Sequence, residues 1–302
     1  MSNEHQSPFG ALITAMVTPF KSNGDVDYNR AEALTRHLLE HGSSGIVVAG
    51  TTGESPTLTP DEKLELFRVV KRAAGNASVI ANTGDNETAF SIEFSRRASE
   101  CGIDGLLLVV PYYNRPNQEG LYRHFKAIAD EVELPCLLYN IPSRTGRNLE
   151  PATMARLREV KNIIGVKEAS GDMGQVSKVR ALAGADYLIY SGNDGDTLPM
   201  LPLGACGCIS VISHIAGVEY AEMMAAYWRG DAERALELHL RLLPVCDALF
   251  PSTASNPIAV KAGLQLQDFD CGGLRLPMVE ASDGERRDLS QAMRKAGLLP
   301  VA

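Results

Sequence analysis

Short apolar runs recur along this chain with amphipathic stretches between them, and that alternation limits the fold more than any other property. The runs are ALITAMVTPF from Ala11, GIVVAG from Gly45, SVIANT from Ser78, GLLLVV from Gly105, PCLLYNIP from Pro135, IIGVKEA from Ile163, YLIYSG from Tyr187 and GCISVI from Gly207. Each is continuously apolar rather than alternating, the pattern of parallel strands covered on both faces. The stretches between them carry helix-end signals. Thr59, Pro60 and Glu62 supply an N-cap, a proline at the first helical position and a capping-box acid, and the helix they open closes on Gly75. Asn86 is placed to cap the next helix, which stops at Gly102. About eight βα units by Gly230 predict an α/β chain folded as a TIM (β/α)8 barrel. A doubly wound sheet is the alternative, but the first βα turn lacks G-x-G-x-x-G and so many units overfill it. From Asp231 the pattern is purely helical. Residues 1–230 are therefore assigned to a catalytic barrel and 231–302 to a C-terminal helical extension.

Composition narrows the class of partner. A net charge of −8 and a pI near 5.3 argue against nucleic acid or an anionic membrane, both of which require a basic footprint. MSNEHQSPFG has no apolar targeting core and no apolar run reaches the length of a membrane span, so a cytoplasmic protein is expected. The six cysteines are scattered without a C-x-x-C pair, which favours buried thiols over disulfides or zinc. His37 and His41 share a helix face but no third ligand accompanies them, and no metal site is expected.

Lys167 stands inside the sixth apolar run, in GVKEASGD. A lysine buried on a strand must be desolvated, which disfavours an ammonium, and a free amine is what attacks a ketone to form a Schiff base. An isolated lysine at a strand end more often snorkels or pairs with an acid. Lys167 has company, however, at the ends of other predicted strands, where a barrel carries its chemistry. GTTGES at Gly50–Ser55 is a turn of glycines and hydroxyls that suits a small carboxylate, though alone it reads as a polar loop. Tyr139 ends the fifth run and either shuttles protons or caps the barrel mouth. Arg144, in PSRTG, could fork onto a carboxylate or lie free on a loop. Tyr112 and Tyr113 in PYYNRPNQEG sit in too polar a setting for simple core.

Taken together, GTTGES, PYYNRP, YNIPSRTG and GVKEASGD resemble the dihydrodipicolinate synthase / N-acetylneuraminate lyase family of pyruvate-dependent class I aldolases, and the likeness runs the length of the chain. The resemblance implies that Lys167 forms the Schiff base with pyruvate. Tyr139 would relay protons with Thr51 and with Tyr113 of a neighbouring subunit. Thr51 and Thr52 would hold the ketoacid carboxylate, with Ile209 and Gly192 beside the bound substrate. Arg144 would bind L-aspartate 4-semialdehyde, and it places the chain on the synthase branch. A lyase acting on N-acetylneuraminate or a 2-keto-3-deoxy sugar acid is the alternative; a silent ketoacid sensor is a more distant one. The resemblance further implies no cofactor and a homotetramer built as a dimer of dimers. Lysine-inhibited relatives carry an effector site near Tyr112. This chain keeps Ser55, Asn86 and Tyr112 there but has Pro60, Lys63 and Phe90 in place of two histidines and a glutamate, so weak or absent inhibition by L-lysine is expected.

Overall fold

The computed structural model describes residues 7–300; residues 1–6, read above for a targeting signal, and the last two positions assigned to the extension lie outside the described residues. All the apolar runs form strands: β1 (Leu12–Ala15), β2 (Gly45–Val48), β3 (Ser78–Asn82), β4 (Gly105–Val109), β5 (Cys136–Asn140), β6 (Ile163–Glu168), β7 (Leu188–Ser191) and β8 (Gly207–Ser210). They close in sequence order into a parallel TIM barrel, with β8 pairing back onto β1. The helices that follow β1–β4 are α1 (Tyr28–Glu40), α2 (Pro60–Ala74), α3 (Thr88–Ser99) and α4 (Gln118–Ala129). Two short helices, α5 (Pro142–Thr145) and α6 (Pro151–Leu157), link β5 to β6. Then come α7 (Met173–Ala183), α8 (Thr197–Met200) and α9 (Ser213–Trp228). The chain ends in α10 (Ala232–Leu249), α11 (Ile258–Leu266) and α12 (Asp283–Lys295).

The strand sequences look uniformly apolar because both faces are covered, but the period of two persists beneath. Ile13, Ala15, Val47, Ile80, Leu107, Leu137 and Ile209 form one apolar cluster inside the barrel. Their neighbours Leu12, Ile46, Val79, Leu106, Leu138 and Cys208 join the larger cluster between strands and helices. That outer cluster also holds Leu238, Leu242, Val260, Leu264, Leu289 and Met293 of the last three helices, so the extension shares a core with the barrel. All six cysteines are buried and unpaired.

Thr59 caps α2 in a full capping box with Glu62, and Gly75 closes the helix with φ +59°. The cap of α3 differs from expectation. Glu87, not Asn86, accepts the first amides, from Ala89 and Phe90, because its carboxylate reaches two donors at once. Asn86 instead donates its amide to the carbonyl of Tyr112 at 3.3 Å.

Candidate active site

Register places the two central residues. Tyr139 on β5 pairs with Lys167 on β6, so their side chains leave the sheet on the same face. Val166 belongs to the outer cluster and Tyr139 to the inner one, so Lys167 points into the barrel. Its Nζ lies 4.3 Å from the centroid of the Tyr139 ring. Lys167 is 5% exposed and Tyr139 4%. The described residues give this amine no carboxylate within ion-pairing distance, unlike the ordinary buried lysine.

Gly192, just past β7, is what lets the lysine lie there. A Cβ at this position would stand 3.1 Å from both Cγ and Cε of Lys167 and 2.8 Å from Cβ of Ala169. Gly165, lower on β6, permits a different close approach, to β7: a Cβ there would meet the Leu188 carbonyl oxygen at 2.4 Å. Behind Lys167, on the outward face of the strand, Glu168 accepts from Asn140 at 3.1 Å, Gln175 at 3.0 Å and the Ser170 amide at 2.8 Å. Burial raises the pKa of this carboxyl above the ordinary range even so. The network ties β5 to β6 and fixes the spacing of the tyrosine and the lysine. Asp194, fully buried and likewise pushed upward by burial, accepts the amides of Val211 and Ile212 at 3.1 and 2.9 Å and so anchors the chain just past Ile209. Ile209 itself is wholly buried in the inner cluster.

Opposite β6 in the closed barrel, β2 runs into the Gly50–Ser55 turn. Carbonyls of Gly50 and Thr51 accept from the amides of Gly53, Glu54 and Ser55. The N–H groups of Thr51 and Thr52 have no acceptor among the described residues, and neither does the Thr51 hydroxyl. Two adjacent free N–H groups make a concavity suited to a carboxylate. The Thr52 hydroxyl is engaged by the Asn256 amide at 2.8 Å. Sequence reasoning missed Asn256, and with it the buried pair of Glu54 and Lys261 at 2.8 Å, which holds the same turn. The only signal was a glutamate in the motif and a lysine in an apolar helix, far apart in the chain.

The remaining expected residues lie outside this centre. Arg144 is exposed on α5, free of ion pairs among the described residues. Beside it, Arg115 donates to the Gly146 carbonyl at 2.9 Å and Arg147 to the Arg115 carbonyl at 3.0 Å, joining the loops after β4 and β5 into a cationic rim. Tyr113 is 90% exposed, with φ +72°. No hydrogen bond joins Tyr139 to Thr51 or to Tyr113 within the single chain. Among the described residues no group of three His, Cys, Asp or Glu could hold a metal ion.

A buried amine without a counter-ion, a tyrosine ring against it and free N–H groups across the mouth define a class, the (β/α)8 lyases that work through a lysine imine. The chain belongs to the dihydrodipicolinate synthetase family, whose pattern matches residues 8–296. It is 53% identical to the 4-hydroxy-tetrahydrodipicolinate synthase of Moorella thermoacetica over 96% of this chain and 99% of that one. Identity to the enzyme of the same name from Heliobacterium modesticaldum is 54%, over 96% of each chain. A solved structure of DHDPS from Cyanidioschyzon merolae with lysine bound matches at a TM-score of 0.94 and 46% identity, covering 96% of this chain and 99% of that one.

Proposed function

We propose that the protein carries out the 4-hydroxy-tetrahydrodipicolinate synthase reaction, condensing pyruvate with L-aspartate 4-semialdehyde on the path to lysine. The observation that carries this reading is the unpaired amine of Lys167 beside the Tyr139 ring. The neutral amine adds to the pyruvate ketone and water leaves, giving an imine. Loss of a methyl proton turns the imine into an enamine, whose carbon attacks the aldehyde. The amino group of the second substrate then displaces Lys167 by transimination as the ring closes, returning the free lysine. Protonated imine nitrogen serves as the electron sink, so the scheme calls for no metal or organic cofactor.

In this scheme Thr51 and Thr52 offer their free N–H groups to the pyruvate carboxylate. Tyr139 hands protons to and from the reacting oxygens. Arg144, uncommitted at the rim, takes the carboxylate of the aldehyde as it enters. Tyr113, exposed on the loop after β4, would complete the relay in a neighbouring barrel, which requires an oligomer; a homotetramer assembled as a dimer of dimers satisfies this. We assign the chemistry to residues 1–230 and a supporting role to 231–302. No helix among the described residues is long and apolar enough to cross a membrane, and the acidic chain suits a cytoplasmic enzyme of small molecules. The test is borohydride reduction in the presence of pyruvate, read by mass spectrometry. A stable reduced adduct on Lys167, diminished when the aldehyde is supplied before the borohydride, is the expected result; an unmodified chain would remove the basis of the proposal.

A further inference from the structure

The turn that carries Thr51 and Thr52 is held by more than its own backbone bonds. Glu54, three residues on, adopts a left-handed backbone with φ +55° and ψ +39°. Ala49 at the other end has φ +53°. Such conformations are uncommon in non-glycine residues and persist where the surroundings over-determine them. The surroundings here come largely from residues 256–275. Lys261 on α11 donates to Glu54 Oε1 at 2.8 Å, and the Arg275 amide donates to Oε2 at 3.1 Å. Asn256 donates to the Thr52 hydroxyl, and from the loop after β1 Thr18 donates to the Gly53 carbonyl at 2.7 Å. Side chains of Lys261 and Glu54 are each 2% exposed.

A buried ion pair adds little net stability, because desolvating both charges offsets most of their attraction; its better-attested use is to fix one geometry among several. Lys261 is also committed elsewhere. It donates to the Gly273 carbonyl at 2.6 Å and lies 4.4 Å over the Phe20 ring, so it has no room to act as a nucleophile. We infer that Lys261 and Glu54 form a clasp by which the C-terminal extension sets the Gly50–Ser55 turn, making both positioning residues for the carboxylate site. The inference rests on the function proposed above only in what the turn is positioned for.

The test removes both charges together, with Glu54→Gln and Lys261→Met in one full-length chain, so that no uncompensated buried charge remains. Expected are a melting midpoint near the parent's, faster hydrogen exchange confined to the amides of Gly53–Ser55, and a pyruvate KM raised roughly 10- to 100-fold, the scale of a small misplacement of a positioning group. The rate of adduct formation at saturating pyruvate should change far less. A double variant with parental KM, or one whose KM rises only in step with a lost melting midpoint, would show that the pair serves stability alone. The parent provides a measurement that no folding failure can spoil. Its Gly53–Ser55 amides should exchange more slowly than those of the Tyr112–Arg115 loop, and equal exchange would overturn the clasp. That comparison involves no substrate, so its failure is distinct from a parent that forms no pyruvate adduct, which would instead defeat the functional proposal.

Discussion

Three lysines are buried among the described residues, and the regions around two of them, Lys167 and Lys261, differ in kind. Lys167 lies in the barrel mouth with an aromatic face and a glycine gap for neighbours and no counter-ion. Lys261 lies where the extension meets the β2–α2 turn, bonded to a carboxylate and a carbonyl. Burial pushes the pKa of Lys261 below that of a free lysine, and the Glu54 carboxylate works against that shift. Burial alone therefore does not mark a reactive amine. What separates the two is access and partners: the Lys261 amine is held by a carboxylate and a carbonyl, whereas Lys167 stands beside an aromatic ring with no acid against it among the described residues.

The sharpest way to break the comparison is to remove one lysine. Lys167→Ala should abolish the borohydride-trapped pyruvate adduct entirely and leave the melting midpoint close to the parent's. In the parent, peptide mapping should find the adduct on Lys167 and none on Lys261. Adduct on Lys261, or full labelling of the Lys167 variant, would mean that the counter-ion does not decide reactivity.

Tyr113→Phe comes next in size. If the exposed phenol completes the relay of a neighbouring barrel, losing the hydroxyl should slow turnover by about two to four decades, the usual worth of a general acid–base group. The ring remains, so light scattering should still report the oligomer. A fully active monomer would end the idea that the mouth is finished by another chain.

Arg144→Ala should leave pyruvate trapping nearly normal while stripping most turnover of the aldehyde. A charge-assisted contact to a desolvated carboxylate is worth about 2–5 kcal/mol. Wild-type efficiency in this variant would move the chain away from the synthase branch and toward an acceptor with hydroxyls in place of the carboxylate.

The contrast between the two lysines also marks how far the sequence could be read. Every strand was visible because burial on both faces makes a strand continuously apolar, and Lys167 stood out as the exception within such a run. The α2 capping box was legible for the same reason: its signal is local. The α3 cap was misread because Asn86 and Glu87 are both able to cap, and the choice depends on Tyr112 drawing the Asn86 amide away. The Glu54–Lys261 and Thr52–Asn256 contacts were invisible, since each joins residues more than 200 positions apart through packing of α11 on the barrel. Local chemistry was written in the chain; the long-range supports of that chemistry were not.

The smallest expected effect concerns L-lysine, and a third lysine sharpens the comparison. Lys63 on α2 is 9% exposed, and burial lowers its pKa while Asp85 opposes the shift. Asp85 is the acid nearest Tyr112, whose hydroxyl donates to it at 3.1 Å and is pushed up to about 12, chiefly by burial. Sequence reasoning did not weigh Asp85. An effector ammonium arriving here would find its natural partner already bonded to a phenol and would meet the field of the Lys63 cation, with Phe90, 37% exposed, offering a cation–π contact. Such a contact is worth about 0.5–2 kcal/mol, too little to replace an uncommitted carboxylate. Titrating L-lysine against the initial rate at saturating pyruvate should therefore show little inhibition below about 1 mM, the range of a weak small-ligand site. Lys63→Met should strengthen whatever inhibition exists, because it removes a cation whose field opposes the effector ammonium. Strong sub-millimolar inhibition of the parent, unaltered in that variant, would show that neither the engaged Asp85 nor the Lys63 cation governs the effector.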